Sequence, residues 1–565
     1  MRFVAWVKKR EKAIAPSLLA AAAVLWVTAV GWHVLDLEVP LLSLDAAKEV
    51  YKFGLGGETG KPLDDSLLHL ASLLGKGGAV LAAVYAYLKV LDIGLDRLAL
   101  RFLYRNHVII VGLGEKARRL ATNIQAAGCR VALIERNDSH PIAPILRAQG
   151  VAVVHGDGLD RETLHQAAIQ RASTLVCLTE SDAVNLEVAH AASEIARTSR
   201  RRTPLRCIVH VADRSLRQIA SEAPHYRCQE PKFDGRVVDV VDIAARGALT
   251  AYPPEANALV NSPGAPALHV LVVGADALAR AIVVNIALQA HYVTAHRPVV
   301  TLLDPAATQA AVQLLAEYPA LSSLLELRAQ DVSLQHLSSL HLLECTGQKG
   351  SVAVSNTPTI ATAYITLERD VDALAAGMHL ARLVRGWDAA PMIAVCMPPE
   401  SNVLASVGAA KPGEPLGFAT FDRYSICSAE YFLGEALDAK ARARHQAYLD
   451  QIVAQGQQLR DKPTQRPWAE LDEMVKASNR RQVEHEGVKR RALQAVGHGA
   501  EALESLAEME HRRWMADMLM SGWSYGARYD ARLLRHNNIV PYDQLDEATR
   551  EYDREVIRKL VATTG

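Results

Sequence analysis

The chain has no surplus of charge, few aromatics and no paired cysteines. Its 62 lysines and arginines equal its 62 aspartates and glutamates, so composition gives no support for nonspecific nucleic-acid binding. Aromatic residues make up only 5 %, which makes any local cluster of them conspicuous. Seven cysteines (Cys129, Cys177, Cys207, Cys228, Cys345, Cys396, Cys427) are scattered without a CxxC pair. Most lie in apolar runs such as LVCLT and IAVCM, which argues for reduced thiols and against a zinc or disulfide framework. What is present is length and apolar content. The 565 residues, half of them apolar, are enough for about three to five domains.

The first long uncharged run covers 13–35, sufficient to cross about 30 Å of hydrocarbon at about 1.5 Å per residue. GWHVLDLE follows it without a small-x-small cleavage pattern, so a retained anchor is favoured over a signal peptide. A second stretch, about 67–91, is interrupted by His69 and Lys76. Basic residues precede the first span and follow the second, while the loop between is mainly acidic. The positive-inside rule then puts both termini in the cytoplasm. His69, Ser72 and Lys76 share one helical face, which predicts a face meeting protein or water. They are the candidate pore residues. A lysine that snorkels to the interface is the plain alternative.

A cytoplasmic fold opens at HVIIVGLGEKARRLATNIQAAGCRVALIERN. A buried strand runs into Gly112-Leu113-Gly114-Glu115-Lys116-Ala117, then a helix, a second strand and Glu135. Gly112 permits a tight turn, and Gly114 allows a pyrophosphate to approach the helix N-terminus. Ala117 lets the helix pack on the strand, and Glu135 can accept from a ribose hydroxyl. Further strands end at Gly156-Asp157 and Thr179-Glu180, and LRCIVHVAD supplies a fifth.

This order resembles the RCK, or TrkA N-terminal, domain that regulates potassium channels and transporters. The resemblance implies an adenine nucleotide, NAD(H) or another, on Gly112, Gly114, Ala117, Glu135, Asp157 and Thr179, with Arg136 near the adenine. Two spans ahead of such a domain resemble the layout of two-span potassium channels, and the loop KEVYKFGLGGE keeps two alternate glycines and an acid. Lys52 and Leu55 depart from the filter pattern at its threonine and tyrosine. An ordinary glycine turn is favoured over a working filter. No catalytic constellation follows the fold, so an enzyme is not expected.

ALHVLVVGADALARAIVVNIALQ repeats the strand–turn–helix pattern with Asp276 in place of the glycine that must approach phosphate. A structural copy without dinucleotide is expected. RVVDVVDIAARGALTAYP, between the copies, reads as an amphipathic linker helix; comparable elements of RCK proteins mediate pairing, which implies a homo-oligomer, dimer or tetramer.

From about Cys427 helices dominate. RPWAELDEMVKASNRRQVEH and LAEMEHRRWMADMLMSGWSYGARYDARLLRHNNIVPYDQL resemble the ryanodine-receptor (RyR) repeat domain, which is helical and is thought to sense nucleotide-like ligands. Trp514, within a helix, is expected to be core. For Trp523 and Tyr525 two readings stay open: core anchors, or exposed rings that stack a purine with Arg528 and His536 nearby.

The expected protein is multi-domain: a membrane part (1–105), an RCK domain (106–235), a linker helix (236–262), a degenerate second RCK-like domain (263–425) and an all-α RyR domain (427–565). It is expected in a bacterial inner membrane, in contact with lipid, without nucleic acid. Its output is potassium-type ion flux or, alternatively, membrane disturbance in a defence system.

Overall fold

A computed structural model describes residues 100–562, less 334–359, 399–416 and several single residues or short stretches. Both expected spans, the glycine loop and His69, Ser72 and Lys76 lie outside the described residues. Among the described residues no helix is long and apolar enough to cross a membrane. The chain divides into two units, Met1–Arg206 and Cys207–Gly565.

In the first unit, β1 (Val108–Val111), β2 (Val131–Glu135), β3 (Ala152–His155) and β4 (Thr174–Cys177) form a parallel sheet in the order β3-β2-β1-β4. Val108 pairs with Val131 on one side and Thr174 on the other. β1 reads VIIV and is buried at every position, the pattern of a parallel strand covered on both faces. Helix α1 (Glu115–Ala126) covers one face with Ala117, Leu120, Ala121 and Ile124. Those positions recur at i, i+3, i+4 and i+7, one apolar stripe of a 3.6-residue helix. Helix α2 (Asp182–Thr198) follows β4, its N-terminus capped by Ser181. The division between units falls inside β5 (Leu205–His210), whose Arg206 N donates to Ser173 O.

The second unit begins with the rest of β5, joined to β6 (Phe233–Val238) through Val211 N to Val238 O at 2.9 Å. Helix α3 (Val240–Ala251) is the stretch read as a linker. Ala244, Ala245 and Leu249 on it are buried in one cluster with Ile282, Val283 and Ile286 of helix α4 (Ala277–Gln289). Its apolar face is therefore used within its own chain. The second sheet runs β12-β11-β10-β7-β8-β9, from β7 (His269–Val273), β8 (Val299–Asp304), β9 (Glu326–Asp331), β10 (Ile360–Ile365), β11 (Met392–Cys396) and β12 (Ala419–Phe421). All its described pairings are parallel.

The C-terminal part is helical: α5 (Ala436–Ala454), α6 (Glu473–Glu484), α7 (Glu486–Val496), α8 (Ala500–Met520) and α9 (Glu547–Ala562). Ala492, Leu493, Leu506, Met509 and Ile557 form a small core of its own. It is also fastened to the fold built on the second sheet. Val488 and Met520 belong to that fold's core cluster. Arg512 donates to Tyr292 O at 2.7 Å and Thr294 O at 3.0 Å, and Arg246 pairs with Glu484 at 2.6 Å. Glu255, itself buried, holds Arg491.

Candidate functional site

Parallel strands bring their carboxyl ends to one edge, so residues far apart in sequence meet there. In the first unit that edge carries Gly112 and Gly114 after β1, Glu135 at the end of β2, Asp157 after β3 and Thr179 after β4. The strand order reverses between β1 and β4, which is where open α/β sheets bind ligands.

Gly112 has φ +96°, and a Cβ there would lie 3.1 Å from the Thr179 backbone. The turn therefore needs glycine twice over, for its left-handed backbone and for its close approach. Thr179 is held by Asn185, a buried side chain on α2. Thr179 N donates to Asn185 Oδ1 at 2.9 Å, its hydroxyl donates to the same oxygen at 2.7 Å, and Asn185 Nδ2 donates to Thr179 O at 3.1 Å. Thr179 is thus a floor under Gly112, with its hydroxyl already engaged.

Gly114 differs. It is the N-cap of α1 at φ −77°, makes no side-chain cap, and has nothing within 4 Å of where a Cβ would stand. Open space at a helix N-terminus, where backbone amides point outward, suits a phosphate. Glu115 stands in that first turn, but it is paired with Arg118 and Arg119, whose hydrogen bonds hold its carboxyl below the usual range. Its charge is thereby offset. Glu135 Oε1 accepts from Asn137 N at 2.8 Å, leaving its other oxygen for a hydroxyl. Asp157 Oδ1 accepts from Leu159 N at 3.0 Å, and Arg136 is exposed. Ala117 is fully buried under β1, as helix packing requires. These residues fit a dinucleotide.

The second sheet repeats the turn but not the opening. Gly274 has φ +119° and faces Thr366 as Gly112 faces Thr179. Asp276 caps α4, accepting from Ala279 N at 2.8 Å, and also pairs with Arg423 at 3.0 Å. The sequence alone did not reveal Arg423, which lies 147 residues from its partner.

The C-terminal aromatics require corrections. Trp523 is only 5 % exposed; its Nε1 donates to Met474 Sδ at 3.3 Å and its ring stacks on Tyr529. It is a core anchor and not an exposed stacking ring, because the turn after α8 folds back over it. Trp514, expected to be core, is only partly covered, between His511 and His536. In the turn after α8, Tyr525 (59 %) and Tyr529 (53 %) are exposed, and Arg528 is exposed beside them. His536 is half-buried, edge-on to Trp514, Trp523 and Tyr529, so it supports the cluster from within. Tyr529 had no motif signal of its own.

A buried ionic group joins α6, α7 and α8. Lys489 Nζ lies 2.5 Å from Glu510, and Arg513 bridges Glu510 at 3.0 Å and Asp517 at 3.1 Å. Burial alone would raise the Glu510 carboxyl, but Arg513 and Lys489 outweigh it and hold it well below the usual range. Burial pulls Lys489 down to about 8. His485 is fully buried, donating from Nε2 to His291 O at 3.1 Å. Burial, with Lys489 nearby, keeps its imidazole neutral well below the usual histidine range. Below pH about 6.5 the unfolded chain therefore binds a proton that the folded chain refuses, and stability falls with pH. The loss grows as pH falls below the unfolded histidine value, by at most about 1.36 kcal/mol per pH unit. Thermal melts of wild type should drop between pH 7 and 5 more steeply than those of His485→Gln; equal slopes would refute a neutral His485.

Residues 108–224 match the TrkA-N domain family and residues 490–564 match the RyR domain family. The chain thus carries a TrkA-N domain and a RyR domain. Among solved structures, the GsuK channel bound to NAD is 13 % identical at a TM-score of 0.34, over 76 % of this chain and 84 % of that one. GsuK bound to ADP is 14 % identical at 0.32, over 74 % and 96 %. The NAD(P)-binding domain of an exopolyphosphatase-related protein from Archaeoglobus fulgidus is 18 % identical at 0.22, over 26 % and 97 %.

Proposed function

We propose that this chain is a regulator that binds an adenine nucleotide, NAD(H) or a relative, in the crevice of its first fold and passes that state to a membrane segment. The observation that carries this reading is the contrast at one turn. Gly112 is wedged against Thr179, while two residues on Gly114 faces open space at a helix N-terminus. A nucleotide bound there would supply charge and shape, and the chain's own residues would orient it: α1 amides at phosphate, Glu135 at a hydroxyl. Regulation is preferred to catalysis because the fold carrying the crevice matches the TrkA-N domain over residues 108–224.

The membrane segment is read as two spans in a bacterial inner membrane, with both termini cytoplasmic and the chain assembled as a dimer or tetramer. Its output is control of potassium-type ion flux. The RyR domain takes a second, nucleotide-like ligand, for which Tyr525 and Arg528 are the accessible residues of the set read from sequence. One sequence feature favours a second reading, a nucleotide-activated effector without a selective pore: Lys52 stands where a filter threonine belongs.

Full-length protein in liposomes separates the two. Selective potassium flux that rises with ADP or NAD supports the channel. Nucleotide-dependent release of a trapped dye supports the effector. Steady turnover of NADH, with neither flux nor leakage, would replace both with an enzyme.

A further inference from the structure

The crevice of the second fold is filled from within. Its sheet reverses between β7 and β10, as the first does between β1 and β4, so the corresponding ligand position lies beyond Gly274 and Thr366. Arg423 reaches this position from the segment following β12. Its Nη1 donates to Asp276 Oδ2 at 3.0 Å, and its Nη2 donates to Thr366 O at 2.8 Å and Leu367 O at 3.1 Å. Cys396, at the end of β11, is also in hydrogen-bond contact with it. The guanidinium thus spans the carboxyl ends of β7, β10 and β11. Asp276 is engaged on both sides, with one oxygen on the α4 amide of Ala279 and the other on Arg423. Both partners are mostly covered, at 13 % and 23 % exposure. In the first fold the equivalent position, Gly114, has no side chain and open space.

We propose that the second fold retains an anion site of the phosphate class whose anion is the chain's own Asp276 carboxylate, held by Arg423. The carboxylate sits where a phosphate would meet the helix amides, and the arginine supplies the cation such a group needs. Since the ligand is intramolecular, its effective concentration is high and a free diphosphate competes poorly. The fold is therefore locked in its liganded form at all nucleotide levels. The lock also holds the segment around Arg423, which leads on toward α5 and the helical part. Only the first fold is then left to respond to nucleotide.

Pyrophosphate is the probe, used with full-length protein in a Gly114→Val background so that the first crevice does not contribute. With Asp276 intact, pyrophosphate should leave the melting midpoint unchanged. Asp276→Ser retains a short N-cap, removes the charge and opens room. This variant should gain a concentration-dependent rise in midpoint, and adding Arg423→Ala should abolish the gain. Asp276→Asn, which keeps the cap, repeats the comparison if the serine variant does not fold. Pyrophosphate stabilisation with Asp276 intact, and dependent on Arg423, overturns the proposal. So does a folded Asp276 variant that gains nothing. Loss of all nucleotide binding by wild type would strike only the first-fold reading.

Discussion

A Gly114→Val protein should fold as the parent does and lose adenine-nucleotide binding by roughly 100-fold or more, about 2.8 kcal/mol at 1.4 kcal/mol per tenfold. The two halves of that expectation have separate grounds. Gly114 has an ordinary negative φ, and a Cβ there would meet nothing within 4 Å beyond its chain neighbours, so the fold should tolerate valine. It does occupy the approach to the α1 amides, and a phosphate cannot share that volume. Gly112 would be a poor test, because its positive φ and the Thr179 backbone penalise any side chain whether or not a ligand binds. Calorimetry with ADP and NAD on the folded variant reads the result. Unchanged affinity would move the nucleotide off this turn.

Trp523→Ala should be the most damaging change among the C-terminal aromatics, costing about 3–5 kcal/mol. The ring is buried, donates its N–H to Met474, and forms the base on which Tyr529 lies. Truncation leaves a cavity and removes the support of the turn carrying Tyr525, Tyr529 and Arg528. Trp514→Ala should cost less, since that ring is already partly in solvent. Tyr525→Ala and Arg528→Ala should leave the melting midpoint close to wild type, as exposed residues do. Full-length protein melted by circular dichroism gives the ranking. Should Trp514→Ala prove the more destabilising, the assignment of Trp523 as the anchor fails.

The Gly114 turn and the tryptophan pair differ in how far the chain alone reveals them. The nucleotide turn is a local matter. A four-residue apolar strand, glycines at fixed spacing and a helix with buried residues at i, i+3, i+4 and i+7 follow from sterics and periodicity within a short window. The acid at Glu135 came from the same logic. The order of Trp514 and Trp523 did not follow, since both are large apolar rings near one helix end. Trp523 is covered by Met474 and Tyr529, whereas Trp514 meets His511 and His536, and spacing along the chain does not rank those partners.

The ionic group on α6, α7 and α8 lies between these cases. Glu510, Arg513 and Asp517 are spaced to share a helical face, and that is visible in the chain. Nothing in the spacing says that the face is buried or that Lys489 closes on it, and burial is what makes removing one partner expensive.

The chain read alone gave β1 to β5 of the first fold in order, the glycines its turn needs and the loss of one glycine in the second copy, because each depends on backbone conformation over a few residues. It missed β6, whose Arg236–Val238 reads as the start of the helix that follows, and β9 and β12. Tertiary structure alone decided which cation meets Asp276, which tryptophan anchors the last turn and how the helical part is fastened to the second fold. Those outcomes are set by side chains tens to hundreds of residues apart competing for the same space and the same charges, and no local pattern records who wins.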